Sequence, residues 1–593
     1  MIIALELDGA RRRRKPGIAG VMGEQMSKRQ AVAKTAMVQH GTKWILLALL
    51  GLGASVAAPA QQPAPAGTQL QSPATGSQTQ PASPGKDKPP THITPEQAKQ
   101  LFSLVDDLLK FSSDETGLPI KSNVKRQITS RPIVEAYLKT KFDEDESAKR
   151  LQRGEIVLKK FGLLDRDFAL KPFLLALLDE QIEAYYDSKT KTVNMLDWVD
   201  IDEQKPVLAH ELTHALQDQH SDLEKWSDQT PDEVSLNFAD DSSHIAKDEM
   251  DTARDAVAEG QATAVMMDYI LKPMGKSLVK DPEVMDVLKN QMSSSEGSPV
   301  LARAPILLSE SLLFPYREGL SFEQDVWMDK GQAAAFPGAL DRPPTSSWEV
   351  MNPREYEQKH IPPVPLMPNI HTLVDKIYKP YDIGQVGQLD LQILAKIFGG
   401  EAAARDLTPA WDGGIYWAGQ RRDAKTAAEQ ASTKSLALFY LAAWKSAASA
   451  QAFAQLYADE LGRKYSGLKH DIAAESAAQN AAQAATQSDH ANAPEPESDT
   501  QIFSTNEGPV VITTRGKLVF VAESFDLDLA GKLTTLILDA QGTGDLRMAG
   551  ASPAGAPDQA FESREPLTSN LVHFFSECGV MKAAVSAAEQ AAK

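Results

Sequence analysis

Apolar positions in Leu101–Phe111 (LFSLVDDLLKF) recur every three or four residues, the spacing of one face of a helix. Thr94-Pro95-Glu96-Gln97 precedes them, so Thr94 can cap, Pro95 suits the first helical position and Gln97 closes a capping box. The same periodicity predicts helices over 145–161 and 170–184, across 205–272 with a polar interruption at 220–245, over 300–330, and over 384–398 and 425–462. Period-two alternation is scarcer. It predicts a short strand at Thr192–Leu196 after a turn at Ser188–Thr190, and a hairpin of Val510–Thr514 and Lys517–Val521 around Arg515-Gly516. A helix near 526–540 should pack on that hairpin. Residues 337–368 are proline-rich and read as irregular.

Two segments break the pattern. Ile45–Ala58 is an apolar run of 14 residues, preceded by basic residues and followed by Ala58-Pro59-Ala60. That is short for a membrane span and has the order of a secretory signal peptide, with cleavage expected near Ala60. The basic part is long for such a signal, so Met22, Met26 or Met37 are alternative starts. Residues 61–93, rich in Gln, Pro, Ser and Gly, read as a flexible tether. The expected organisation is a signal at 1–60, the tether at 61–93, and a catalytic-type domain at 94–380. A helical region at 381–486, a linker at 487–500 and a small α/β segment at 501–593 complete it. The mature chain is thereby exported, periplasmic or secreted, with no transmembrane segment.

Charge and composition narrow the chemistry. The 593 residues contain 61 Lys+Arg and 80 Asp+Glu, a net charge of −19. Residues 61–593 alone carry −25, because the first sixty hold 9 of the basic and only 3 of the acidic residues. Such a surface is wrong for nucleic acid and for an anionic bilayer. Cys578 is the one cysteine, which rules out an intramolecular disulfide and a cysteine-built metal cluster. A metal site must therefore use His and carboxylates.

Those ligands occur together in Pro206–Gln217 (PVLAHELTHALQ), which contains H-E-x-x-H. His210 and His214 are i and i+4, one turn apart on one helical face, where two imidazoles can hold one Zn²⁺. Glu211 lies beside the first ligand and can serve as general base toward a metal-activated water. Chance would place roughly 0.01 copies of this motif in a chain of this composition. Ala209, Leu212, Thr213 and Ala215 are uncharged, as a buried helix requires.

A third ligand is needed, and the acids within reach are Asp218, Glu249, Asp251, Asp255 and Glu259. The residues after His214 lack the Gly and His of the H-x-x-G-x-x-H extension, and His220 falls at the helix end. Glu249 and Asp251 sit in the acidic start of a second helix, where the helix dipole accounts for them. Asp218 is a short acid on the same helix as the histidines, better placed to support a ligand than to be one. Glu259 lies mid-helix among Ala256, Val257, Ala258, Ala262 and Thr263, where an unpaired carboxylate is costly. The neighbouring Gly260 points to close packing at that turn. Glu259 is thus the expected third ligand. Asp255, one turn earlier, either receives the N–H of a ligand histidine or is an ordinary solvated or arginine-paired carboxylate.

The chain resembles the gluzincin group of zinc metallopeptidases, the thermolysin-like branch of the zincins, and more narrowly a family of exported bacterial proteins in the peptidase-MA-like group. The resemblance is carried by Glu183-Ala184-Tyr185-Tyr186-Asp187, His210–His220, Glu259-Gly260-Gln261-Ala262-Thr263, Phe314–Phe322, Pro343-Pro344-Thr345-Ser346 and Asn352–Tyr356, covering roughly residues 97–356. Trp411-Asp412-Gly413-Gly414 and the terminal hairpin match more weakly. The resemblance implies an α+β, mainly helical fold with a small sheet beside the active-site helix. It also implies zinc held by His210, His214 and Glu259, with Glu211 catalytic. Ala184 stands where a smaller turn residue is expected. Zincins also use a downstream Tyr or His toward the oxyanion, which makes Tyr316 and Arg317 candidates; core packing by Tyr316 and Phe322 is the competing account.

The sequence therefore predicts an exported zinc metallopeptidase acting on a peptide or protein substrate, with peptide lying along Thr192–Leu196. A noncatalytic zinc-bearing envelope scaffold and a zinc hydrolase of a non-peptide amide are the alternatives. The presence of Glu211 argues against the scaffold, because a purely structural site needs no general base.

Overall fold

The computed structural model describes residues 93–591 except 145, 228, 230–236, 293–297, 487–497, 543–566 and 580–581. The expected signal and nearly all of the expected tether, as well as most of the 487–500 linker, lie outside the described residues. The fold is mainly helical, 62% helix against 16% strand, with two sheets. All described residues belong to one compact unit, 85–593. Among them no helix is long and apolar enough to cross a membrane.

Helix α1 (Pro95–Thr116) begins at the capping box expected from sequence. The Thr94 hydroxyl accepts from the Gln97 N–H at 3.2 Å, and the Gln97 side chain accepts from the Thr94 N–H at 2.9 Å. It packs on α2 (Ile201–Ser221), and Ser112 donates to the Ala209 carbonyl there at 3.0 Å. Asp200 caps α2 through the Asp202 N–H, and Asp222 ends it with a left-handed backbone. Helix α3 (Met250–Leu271) crosses α2 and is buried along almost its whole length. A Cβ on Gly260 would stand 2.4 Å from the Gly319 backbone, so the glycine is what admits the turn at Pro315–Gly319. That turn is π-helical.

The first sheet has three strands, β1 (Lys125–Thr129), β2 (Ala184–Asp187) and β3 (Thr192–Leu196), in the order β1-β3-β2. β1 runs parallel and β2 antiparallel to β3. β3 is therefore the central strand and has no open edge. The expectation that a peptide pairs with Thr192–Leu196 is overturned by this: both rows of its backbone groups are already used. The Gln204 side chain ties α2 to β3, accepting from the Leu196 N–H and donating to the Leu196 and Val199 carbonyls.

The second sheet has seven strands: β4 (Tyr378–Gln385), β5 (Trp411–Arg421), β6 (Leu436–Trp444), β7 (Lys469–His470), β8 (Ser498–Thr505), β9 (Gly508–Arg515) and β10 (Leu518–Glu523). Their order is β4-β5-β6-β10-β9-β8-β7, antiparallel throughout. The expected hairpin is β9–β10, with Arg515 opposite Leu518 and Gly516 at φ +61°. The expected helix over 425–462 is corrected here. The expected helix over 384–398 is α4 (Gln388–Leu407), but Leu436–Trp444 is a strand, and helix α5 (Ala447–Asp459) follows it. In LALFYLAAW, Leu436, Leu438, Tyr440, Ala442 and Trp444 face the large core shared with the helices. Ala437, Phe439 and Leu441 face a second core, closed by Leu529, Leu533 and Ile537 of α6 (Leu527–Ala540). A strand buried on both faces is continuously apolar and carries no period-two signal. Helix α7 (Ser569–Glu577) returns to pack on α3.

Candidate metal centre

The i, i+4 spacing on α2 brings His210 and His214 together, with their Nε2 atoms 2.9 Å apart. Glu259 of α3 faces both: its Oε2 is 3.0 Å from His210 Nε2 and 3.5 Å from His214 Nε2. Tetrahedral coordination at zinc–nitrogen and zinc–oxygen distances near 2.0–2.1 Å sets donors about 3.3 Å from one another. The three donors, which all lie within 4.8 Å of one another, are thus spaced and chemically suited for one such ion. His210 and Glu259 are buried; His214 keeps 13% of its side chain exposed.

Gln217, one turn after His214, orients that ring. Its side-chain oxygen pairs with His214 Nδ1 at 2.9 Å, and its Nε2 donates to the Ala258 carbonyl and to Gln261 Oε1, each at 2.9 Å. An Nδ1–H donated to Gln217 leaves Nε2 as the ring atom that faces Glu259 and His210. Gln261 continues inward, donating to the Ala335 and Phe336 carbonyls. Sequence reasoning missed Gln217 and looked to acids for this role, although Gln217 lies at i+3 from His214. His210 Nδ1 is buried without a partner among the described residues.

Glu211 points toward β2. The Tyr186 backbone N–H favours its charged form, while its Oε1 has no hydrogen-bond partner among the described residues. Tyr186 is held in turn by Asp218, which accepts its hydroxyl at 2.8 Å and takes Lys191 Nζ at 2.7 Å. Asp218 therefore steadies the strand beside Glu211 rather than a histidine. Burial pushes the Glu211 carboxyl up to about 7; Glu259 adds repulsion, while His214 and the Tyr186 N–H oppose the rise. Burial also lowers His210 to about 4. At His214 burial acts downward, but the Glu259 carboxylate outweighs it and lifts the ring to about 9. Glu259 is held well below its usual range, because the two histidines overcome its own burial.

The remaining candidates separate clearly. Asp255 bonds His573 Nδ1 at 2.9 Å, with both side chains buried, so it is not a solvated carboxylate. Its partner lies 318 residues away in α7, beyond the reach of sequence spacing. Glu249 and Asp251 stand at the start of α3 as expected, but buried; Ser347 donates to Glu249 and the Gln229 N–H to Asp251. His220 is partly exposed and pairs with Asp341 at 3.0 Å. Arg317 is bound by Glu310 at 2.8 Å and Glu318 at 2.9 Å. Tyr316 is buried, its ring 6.3 Å from that of His210, in the field of Glu259 and Glu211. The π turn thus directs Tyr316 to the histidines, and Arg317 is held by its own acids. Ala184 is a buried β2 residue, not a turn residue.

No family model, curated protein or solved structure matches this chain.

Proposed function

We propose that the chain is a zinc-dependent peptidase of gluzincin type, with zinc held by His210, His214 and Glu259. The convergence of those three donors beside a fourth, catalytically suited carboxylate carries this reading. The chemistry a bound Zn²⁺ supplies is Lewis-acid polarisation of a carbonyl and acidification of water. Glu211 takes the proton from the attacking water and returns it to the leaving amine; burial raises its carboxyl and so makes it a stronger base. The Tyr186 N–H favours the charged form of that carboxylate. Gln217 holds His214 in the tautomer that ligates. Tyr316 stands beside His210 as a hydroxyl donor for developing charge.

Glu211→Gln tests the reading. Purified protein should retain one zinc per chain, and hydrolysis of a broad peptide library should fall about 10³-fold, since a base and not a ligand is removed. A variant that turns over like wild type defeats it. A specific observation favours the scaffold as second reading: Glu211, His210 and Glu259 are all buried, and a Cβ on Gly579 would sit 2.7 Å from the Ala184 carbonyl, so α7's end lies against β2. Zinc bound without any hydrolysis by the wild type would select the scaffold; hydrolysis of a non-peptide amide alone would select the third reading.

Export belongs to the same proposal. The mature protein recovered from cells should contain no peptide preceding about residue 55. Intact residues 40–60 in that material would refute export.

A further inference from the structure

The two carboxylate oxygens of Glu259 have different partners. Oε2 faces His210 and His214, whereas Oε1 accepts a hydrogen bond from Ser576 Oγ at 2.8 Å. Ser576 is 317 residues further along the chain, in the last turn of α7. Its arrival there is built into the packing of α7 along α3. Thr252 donates to Ser569 at 2.6 Å, His573 Nδ1 meets Asp255 Oδ2 at 2.9 Å, and Ser576 reaches Glu259. The contacts advance three or four residues on both helices, so the two run parallel with one polar contact per turn. Leu571, Val572, Phe574 and Phe575 on α7 are fully buried, and Phe574 meets Phe142 edge-on at 5.1 Å. Core burial anchors α7 and delivers its polar face to α3.

We infer that Ser576 is a positioning residue for the third ligand: by holding Oε1 it leaves Oε2 alone to ligate, making Glu259 a one-oxygen ligand. This rests on the metal-centre reading above. A carboxylate with both oxygens free can rotate and chelate, taking up the position that a catalytic site keeps open for water or substrate. A hydroxyl bonded to one oxygen blocks that rotation without adding charge. Satisfying a buried carboxylate would need a donor but would not require that one oxygen stay off the metal, and this difference is measurable.

The test uses the full chain as wild type, Ser576→Ala and Ser576→Thr. Zinc affinity is measured by competition with a chromophoric chelator, and coordination by the visible absorption of the Co²⁺-loaded protein. Ser576→Ala should lose about 10- to 100-fold in zinc affinity. Its Co²⁺ bands should weaken as a second Glu259 oxygen enters the coordination shell. Ser576→Thr, which keeps the hydroxyl at a half-buried position, should restore both readouts. Ser576→Gly repeats the deletion should the alanine variant fail to fold. Wild-type affinity and spectrum in the deletion variant overturn the inference and leave the metal centre standing, as does a threonine variant as weak as alanine. A wild-type chain that binds neither ion defeats the metal-centre reading itself.

Discussion

Near the end of β10, Lys160, Lys464, Glu507 and Glu523 are buried together, as fully as the charges around His210, but the two sets are arranged in opposite ways. Lys160 donates to Glu507 at 2.9 Å and to Ser524 at 2.7 Å, and Thr433 answers the other oxygen of Glu507. Glu523 takes Tyr457 and Lys464 on one oxygen and Tyr465 on the other. Each of these carboxylate oxygens has a donor of its own. Around His210, three donor groups instead point at one another, His210 Nδ1 and Glu211 Oε1 have no partner among the described residues, and burial raises the Glu211 carboxyl toward neutrality. A buried ion pair with every lone pair satisfied holds structure together; buried groups that converge with lone pairs to spare are arranged for an ion or a proton transfer.

The sharpest break of that contrast is a crossed pair of substitutions. Glu259→Ala should weaken zinc binding by about 10³-fold or more, far beyond the effect of Asp255→Ala and beyond its own effect on the stability of the zinc-free protein. Retained affinity in Glu259→Ala, with loss in Asp255→Ala, would reassign the third ligand. Glu523→Ala should do the reverse. Removing one partner leaves Lys464 buried and uncompensated, costing about 3–5 kcal/mol in urea unfolding, with zinc affinity unchanged. A loss of zinc affinity in Glu523→Ala as large as in Glu259→Ala would erase the distinction.

A third region sharpens it by pH. Burial, with repulsion from Asp390 and Asp248, raises Glu249 to about 8, against a bond from Ser347 that lowers it. Burial likewise raises Asp390 to about 6. A raised folded-state carboxyl binds its proton where the unfolded chain has released it, so stability falls as pH rises from about 4.5 toward 8. Glu523 is depressed in the folded state, and its contribution is present above the ordinary glutamate range and lost only as pH falls below it. Glu249→Gln should therefore flatten the decline in unfolding free energy between pH 5 and 8 by on the order of 2 kcal/mol. A slope identical to wild type would show that Glu249 is not protonated in that window. The smallest effect is expected at the start of α1, where Thr94→Ala removes one half of the capping box and should cost about 1 kcal/mol in the same measurement, without touching zinc affinity.

Much of the site was legible because its first elements are local. H-E-x-x-H needs nothing but helical periodicity to put His210 and His214 on one face, and Glu259 stood out as an acid among small residues mid-helix. The capping box at Thr94 and the turn at Gly516 are likewise decided within four residues. Other assignments failed where a residue's role depends on what covers it. Asp255 could be read as supporting a ligand histidine until α7 brought His573 to it. Leu436–Trp444 could be read as helix because both faces of the strand are buried in different cores.

The sequence alone thus determined which side chains can act as donors on α2 and α3 and how they are spaced along each helix, since backbone dihedrals fix that geometry turn by turn. Tertiary structure decided the partners: Gln217 against the α3 backbone, Tyr186 against Glu211, β3 closed on both edges, and Ser576 on the second oxygen of Glu259. Those contacts join residues tens to hundreds of positions apart. They are set by which apolar faces bury against each other, a collective choice of the whole core rather than a property of any one segment.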